Sequence, residues 1–214
     1  MVKSITLHSV IPHIFANQTI LSEVWNQDVV FEKGKSYLIE ASSGKGKSSM
    51  LSYIYAYRND YSGTIYIDDT DINSLSENDI VVLRQRVFAY LFQELRLFPT
   101  LTALENIEVK NQLTHHKSRQ QIELLFERLG IADKTNTPVR LLSWGQQQRV
   151  AFVRTLCQPC DFVLLDEPIS HIDNQNAQTM VDILTEEQTK FGFGIIATSI
   201  GYYLPLNYNR IMQL

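Results

Sequence analysis

The sequence predicts an α/β protein with a mixed or parallel β-sheet core and a helical subdomain inserted into it. Three observations carry this. Short apolar, strand-like runs alternate with helical patterns toward both ends of the chain. The section from about 95 to 156 has helical periodicity and no convincing strand. A Gly/Ser/Lys loop, Ala41–Ser48, joins a strand-like run to a helical one. With 214 residues, no internal repeat and no low-complexity linker, the chain reads as one unit of two lobes. The core takes about 1–94 and 157–214, and the helical subdomain about 95–156.

Taken in order, Ser4–Leu7 and Val29–Phe31 are the first strand candidates, followed by Ser36–Glu40 with its apolar Tyr37-Leu38-Ile39. A helix starts after Gly46, its helical run reading from Ser49 to Tyr57, then a strand at Thr64–Ile67 and a helix starting after Ser76. Val87–Leu91 is the last strand before the insertion, whose helices start after Thr102, after Ser118 and near Gln146. Ser118 is an N-cap and Gly130 a C-cap for the run between them. Four apolar residues make Phe162–Leu165 a buried strand, and a helix near Asn174 separates it from strands Phe193–Thr198 and Arg210–Gln213.

Hydrophobic residues make up 44% and charged residues 20%, the balance of a globular protein with a real core. A formal charge of −4 gives no case for a nucleic-acid partner, which needs a basic face. Three glycines, Thr198, Ser199 and Pro205 interrupt the most apolar stretch, Phe191 to Leu206, so it does not span a bilayer. The N-terminus shows no signal peptide, and a cytoplasmic protein is expected, touching a membrane only through a partner. Cys157 and Cys160 form a CQPC tetrad lying before a strand rather than at a helix start, and no second ligand pair exists for zinc. Reduced, structural thiols are expected.

The chemistry concentrates in two places. In Ala41–Ser48 the glycines let backbone N–H groups close around a polyphosphate, and the following helix N-terminus adds positive potential. Lys47 reaches toward β- and γ-phosphates and the Ser48 hydroxyl toward Mg²⁺; the bland alternative is a polar surface turn. The second place is Asp166-Glu167, at the C-terminal end of a buried strand, where α/β ligands sit. Asp166 is placed to hold Mg²⁺ and Glu167 to polarise water, against the alternative of an acidic pair ending an ordinary strand.

With the segment LLSWGQQQRVAFVRTL between them, these motifs resemble those of the ATP-binding subunit of an ABC transporter, a P-loop NTPase of ABC type. The segment is similar to the family's signature, usually LSGGQ, and the resemblance covers Ser4 to Leu214. It implies ATP and Mg²⁺ as ligands. Ser43, Gly44, Lys45, Gly46, Lys47, Ser48 and Ser49 would hold the nucleotide, while Ser48, Gln93 and Asp166 would hold the metal. Glu167, Gln93 and the residue at position 199 would serve hydrolysis, and Asp173 is the conventional aspartate of the D-loop. Ser143, Gly145 and Gln146 would present a hydroxyl, N–H groups and a helix N-terminus to the γ-phosphate held by a second subunit. Phe15 is the candidate to stack on adenine, with a bland core phenylalanine as the alternative. The implied partners are a second copy or a homologous subunit in an ATP sandwich, and a transmembrane permease that places the chain on the inner face of the plasma membrane. Within the family the TLTALENI segment looks most like the LolD/MacB/FtsE-type subunits.

Four features depart from the family pattern. Ala41 stands where glycine is usual; if its φ were positive it would cost about 1 kcal/mol. Trp144 replaces the first glycine of the signature core. Ser199 stands where the family carries a histidine that touches the γ-phosphate. Losing one such donor costs about 2.7–4 kcal/mol, so ATP binding with slow or partner-dependent hydrolysis is expected. The chain stops at Leu214, so no regulatory extension is expected.

Other residues invite over-reading. His115-His116 are expected in solvent, and Tyr53, Tyr55 and Tyr57 are expected to pack from one helix. Two other functional classes compete with the transporter ATPase. A degenerate module would bind ATP to dimerise and scarcely hydrolyse it. A soluble ATPase of DNA repair or translation would need a coiled-coil insertion or tandem cassettes, which this chain lacks.

Overall fold

A computed structural model describes residues 1–214. Strands β1 (Ser4–Pro12) and β2 (Asp28–Glu32) pair antiparallel, and β3 (Ser36–Glu40) leads through the loop into α1 (Lys47–Ile54). Then come β4 (Tyr61–Ile67), β5 (Thr70–Asp71), α2 (Glu77–Arg86) and β6 (Phe88–Leu91). Helices α3 (Ala103–Asn111), α4 (Arg119–Arg128) and α5 (Trp144–Leu156) follow, with no named strand among them. The chain closes with β7 (Phe162–Asp166), α6 (Asn174–Phe191), β8 (Gly194–Ser199) and β9 (Arg210–Gln213). The strands form an antiparallel sheet, β2-β1-β4-β5, and a parallel one, β6-β7-β8-β3-β9.

Strands β6, β7 and β8 are buried on both faces, which is why they read as continuous apolar runs, whereas the edge strand β9 buries only Met212. Alternation sends Leu38, Leu91, Val163, Leu165, Ile195 and Ala197 into one core, shared with α3, α4, α5 and α6. Tyr37, Ile39, Phe88, Leu164 and Ile196 face the other way, into a core shared with α1 and the antiparallel sheet. Four helices open on capping boxes: Ser76 with Asp79, Thr102 with Glu105, Ser118 with Gln121 and Ser143 with Gln146. Each pairs two backbone N–H groups that the first turn leaves without a helical partner.

All eight expected strands and six expected helices form; Ser36–Glu40 and Arg210–Gln213 keep their expected bounds, and several others shift. Helix α1 starts after Gly46, at Lys47, as expected, but ends at Ile54 rather than about Tyr57, because Ala56 takes a φ of +55° and turns the chain back. Tyr53 therefore packs from the helix, while Tyr55 caps it and Tyr57 lies beyond it, 53% exposed. The tyrosines do not share one helix. Val87 caps α2 instead of starting β6, and Gly130 follows the C-cap Leu129 of α4 in a left-handed conformation. Strand β1 outruns Leu7 through an irregularity between His8 and Ile11, where the backbone of Ser9 and Gly63 approach so closely that a Cβ on Gly63 would sit 2.3 Å from the Ser9 oxygen. Two-residue β5 was not expected. No helix is long and apolar enough to cross a membrane.

Cys157 is buried, Cys160 partly so, and both thiols are free; burial pushes each up to about 12, so both stay protonated. His115 is exposed, whereas His116 is only partly so and packs on the Phe191 ring at 5.1 Å.

Candidate functional site

At the C-terminal end of β3 the chain turns through 41–46 into α1. Gly44 and Gly46 hold φ values of +79° and +92°. A Cβ on Gly46 would also meet Trp25 at 3.1 Å and Phe15 at 3.2 Å, so this position needs glycine on two counts. Ala41 is not among the positive-φ residues, and alanine there carries no strain. The first-turn N–H groups of α1 lack helical partners and face a cavity of about 410 Å³. Ser43, Gly44, Gly46, Lys47, Ser48 and Ser49 line it, together with Phe15, Gln93 and Glu167.

Lys47 is 4% exposed, and its ammonium donates to the carbonyl oxygens of Ala41 (2.9 Å) and Ser42 (3.1 Å). The same Nζ lies 3.5 Å from Glu167 Oε1. A buried lysine held only by its own loop and one carboxylate is placed to exchange those partners for anionic oxygens. Gln93 donates from Nε2 to Glu167 Oε2 at 3.2 Å, which closes a chain Lys47–Glu167–Gln93 at the mouth of the loop.

Glu167 points there because β7 ends in a sharp turn, with Glu167 at a φ of +48°. Its N–H donates to Thr198 Oγ1 at 3.3 Å, and that hydroxyl donates to Asp166 Oδ1 at 2.7 Å. From α5, Gln148 Nε2 donates to the carbonyl oxygens of Pro168 (2.6 Å) and Glu167 (3.4 Å). Asp166 lies just behind the cavity, 3% exposed. Burial raises its carboxyl above the usual carboxylate range, against the opposing hydroxyls of Thr198 and Ser48. Thr198 and Gln148 were missed in the sequence. Only a threonine next to position 199 and a glutamine within the signature helix pointed to them.

Other expected site residues lie elsewhere. Lys45 is exposed and outside this cavity, although its carbonyl accepts from Trp25 Nε1 at 3.1 Å. Ser199 does not line the cavity either. In β8, Thr198 faces Asp166, so alternation turns the Ser199 side chain to the opposite face of the sheet. It is 1% exposed and its hydroxyl has no partner, while the next residue, Ile200, lines the cavity. Ser199 therefore offers no donor to the cavity.

Ser143, Gly145, Gln146 and Asp173 also lie outside it. Ser143 Oγ accepts from Gln146 N–H at 3.3 Å, and Gln146 Oε1 accepts from Ser143 N–H at 2.9 Å. A Cβ on Gly145 would come 2.9 Å from the carbonyl oxygen of His171, and Trp144 meets the His171 ring edge to face at 5.6 Å. Asp173 caps α6 through Asn176 N–H at 2.9 Å, and its bonds to Asn176 hold its carboxyl below the usual range.

The donor set fits a polyphosphate with a divalent cation. Backbone N–H groups and one ammonium face the cavity, and the oxygens of Ser48 and Asp166 suit a hard ion that completes its shell with substrate and water. The fold and site thus define a P-loop nucleotide-binding ATPase.

The model of the ABC transporter family matches residues 25–170. The chain is 32% identical to an uncharacterized ABC transporter ATP-binding protein, MJ1508 of Methanocaldococcus jannaschii, covering 88% of this chain and 85% of that one. It is 30% identical to the macrolide export ATP-binding/permease protein MacB of Vibrio parahaemolyticus, over 92% of this chain but only 30% of that longer protein. The ATP-binding cassette MJ0796, solved as a dimer in a post-hydrolysis state with ADP and Pi, superposes with a TM-score of 0.76 at 27% identity, covering 91% of this chain and 87% of that one. The chain belongs to the ABC transporter family, as an ATP-binding subunit with ATPase activity.

Proposed function

We propose that this subunit drives a separate membrane permease from the inner face of the plasma membrane, with two ATP-binding cassettes closing head-to-tail on Mg·ATP. The observation that carries the reading is the chain Lys47–Glu167–Gln93 across the mouth of the phosphate loop, with Ser143 and Asp173 outside the cavity. A site with its signature elsewhere in the same chain is completed by another subunit, which is either a second copy or a homologue. Residues 1–94 and 157–214 form the nucleotide core, and 95–156 the lobe that carries the signature. No nucleic acid takes part.

Within this reading, Ser43, Gly44, Gly46, Ser48 and Ser49 cradle the phosphates, Lys47 binds the terminal ones, and Phe15 packs on adenine beside Gly46. Ser48, Asp166 and Gln93 hold Mg²⁺, which would neutralise charge on the β- and γ-phosphates. Glu167 orients the attacking water. ATP favours the closed dimer because only that state makes both sets of contacts. The permease docks near Gln93, where Tyr90, Phe92, Arg96, Lys110 and Arg154 line a groove of about 240 Å³.

Hydrolysis is slow without the partner, because no side chain at 199 donates to the cavity. Phosphate release by the wild type and by Glu167→Gln tests the enzyme reading. A fall of roughly 10²–10⁴ is expected for the variant, with ATP still bound. Equal rates would leave only a nucleotide-gated binding module.

A further inference from the structure

One charged pair on the wall of the nucleotide cavity is absorbed by none of the roles above. After α1, the positive φ of Ala56 folds the chain back, and Tyr57 N–H donates to Ser52 O at 2.8 Å. This return carries Arg58 alongside α1 toward its first turn. Arg58 Nη1 donates to Ser49 Oγ at 3.0 Å, and Nε donates to Asp60 Oδ1 at 2.8 Å. Nη2 pairs with Asp60 Oδ2, making the contact bidentate. The guanidinium carbon also stands 5.5 Å from the Tyr53 ring centroid. Asp60 is itself fixed, because its carbonyl accepts from His13 N–H (3.0 Å) and from Tyr53 OH (3.2 Å). Ser49, Arg58 and Asp60 all line the cavity that holds the phosphate loop.

The pair contributes little to stability, since both side chains are nearly half exposed, at 45% and 47%. Its effect falls on Ser49. A hydroxyl that accepts from Arg58 keeps its own proton to donate, either to the Tyr53 phenol beside it or to a ligand in the cavity. On the third residue of α1 that proton joins the unpartnered N–H groups of the first turn.

We propose that Arg58, clamped by Asp60, is a positioning residue of the nucleotide site, orienting the Ser49 hydroxyl as a donor to the phosphate nearest the nucleoside. This rests on the cavity being the ATP site. Asp60 neutralises the arginine, so the device adds a directed hydrogen bond without adding net charge. AMP, ADP and ATP should all depend on it, and adenosine should not.

Titration of the purified chain with ATP, AMP and adenosine, measured by calorimetry, tests this. Arg58→Met is expected to raise the Kd for ATP and AMP about tenfold, or about 1.4 kcal/mol, and to leave adenosine unchanged. Ser49→Ala should do the same, and the double variant should be no worse than either single one. Arg58→Lys should recover part of the affinity, and the KM for ATP should rise while kcat holds. Ligand-free melting temperatures identify any variant that is merely less folded. If the wild type binds ATP but Arg58→Met matches it within twofold, or the two single effects multiply, the inference is wrong while the site reading stands. A wild type that binds no ATP overturns both.

Discussion

At the phosphate loop, Lys47 is buried, held by two carbonyls of its own loop and lying 3.5 Å from Glu167, which in turn accepts from Gln93. At the signature, Ser143 and Gln146 satisfy each other and Trp144 stands 44% exposed against His171. Both are helix N-termini, yet only the first faces a cavity with polar groups whose partners an anion can replace. The second is locally satisfied and outward-facing. The contrast teaches that a helix N-terminus is not by itself half of a ligand site; what surrounds it decides whether the ligand arrives in cis or with another subunit.

The widest break in this comparison is Lys47→Met. The change leaves the Ala41 and Ser42 carbonyls without their donor and Glu167 without its cation. Loss of a charge-assisted contact of this kind should weaken ATP binding about 100-fold, roughly 2.7 kcal/mol. Calorimetric titration reads it directly. Binding within threefold of the wild type would mean the loop's backbone alone grips the phosphates.

A smaller effect separates two neighbours at the end of β8, its last residue and the one after it. Ser199 faces the core on one side of the sheet, while Ile200 reaches the cavity on the other. Ile200→His should therefore raise phosphate release, by roughly tenfold, a part of what one oriented donor supplies. Ser199→His should give no gain and should lower the melting temperature, because an imidazole overpacks a fully buried site at about 1–3 kcal/mol. If Ser199→His restored rapid turnover instead, β8 would have to end one residue earlier when ATP is bound.

These cases also mark what the sequence made legible. The loop, the Asp166-Glu167 pair and the Ser118 cap follow from local chemistry: glycine freedom, an apolar run and a side-chain oxygen at a helix start. The central parallel strands, such as β7 and β8, were legible because burial on both faces leaves an unbroken apolar run. Position 199 was not, because a resemblance assigns a residue to a place in the chain but not its side chain to a face. Thr198, Gln148 and the Arg58–Asp60 pair act across gaps of tens of residues or through a left-handed turn at Ala56. Neither leaves a periodicity to read. The ends of α1 and β1 were misplaced for the same reason, since Ala56 and Ser9 take positive φ without being glycine.

The smallest effect tests the signature side. Ser143 has two separable jobs, capping α5 in its own chain and, under the proposed function, meeting the ATP of another. Replacement by alanine removes both, at a stability cost of about 1 kcal/mol, whereas glycine substitutes for the cap within a few tenths. Thermal melting should therefore rank Ser143→Ala below Ser143→Gly. ATP-driven dimerisation, followed by sedimentation with Glu167→Gln in the background to hold the nucleotide, should fall equally in both, since neither carries the hydroxyl. If dimerisation instead tracked stability, the serine would matter only as a helix cap. The second subunit would then be recognised through the backbone N–H groups of Trp144 and Gly145.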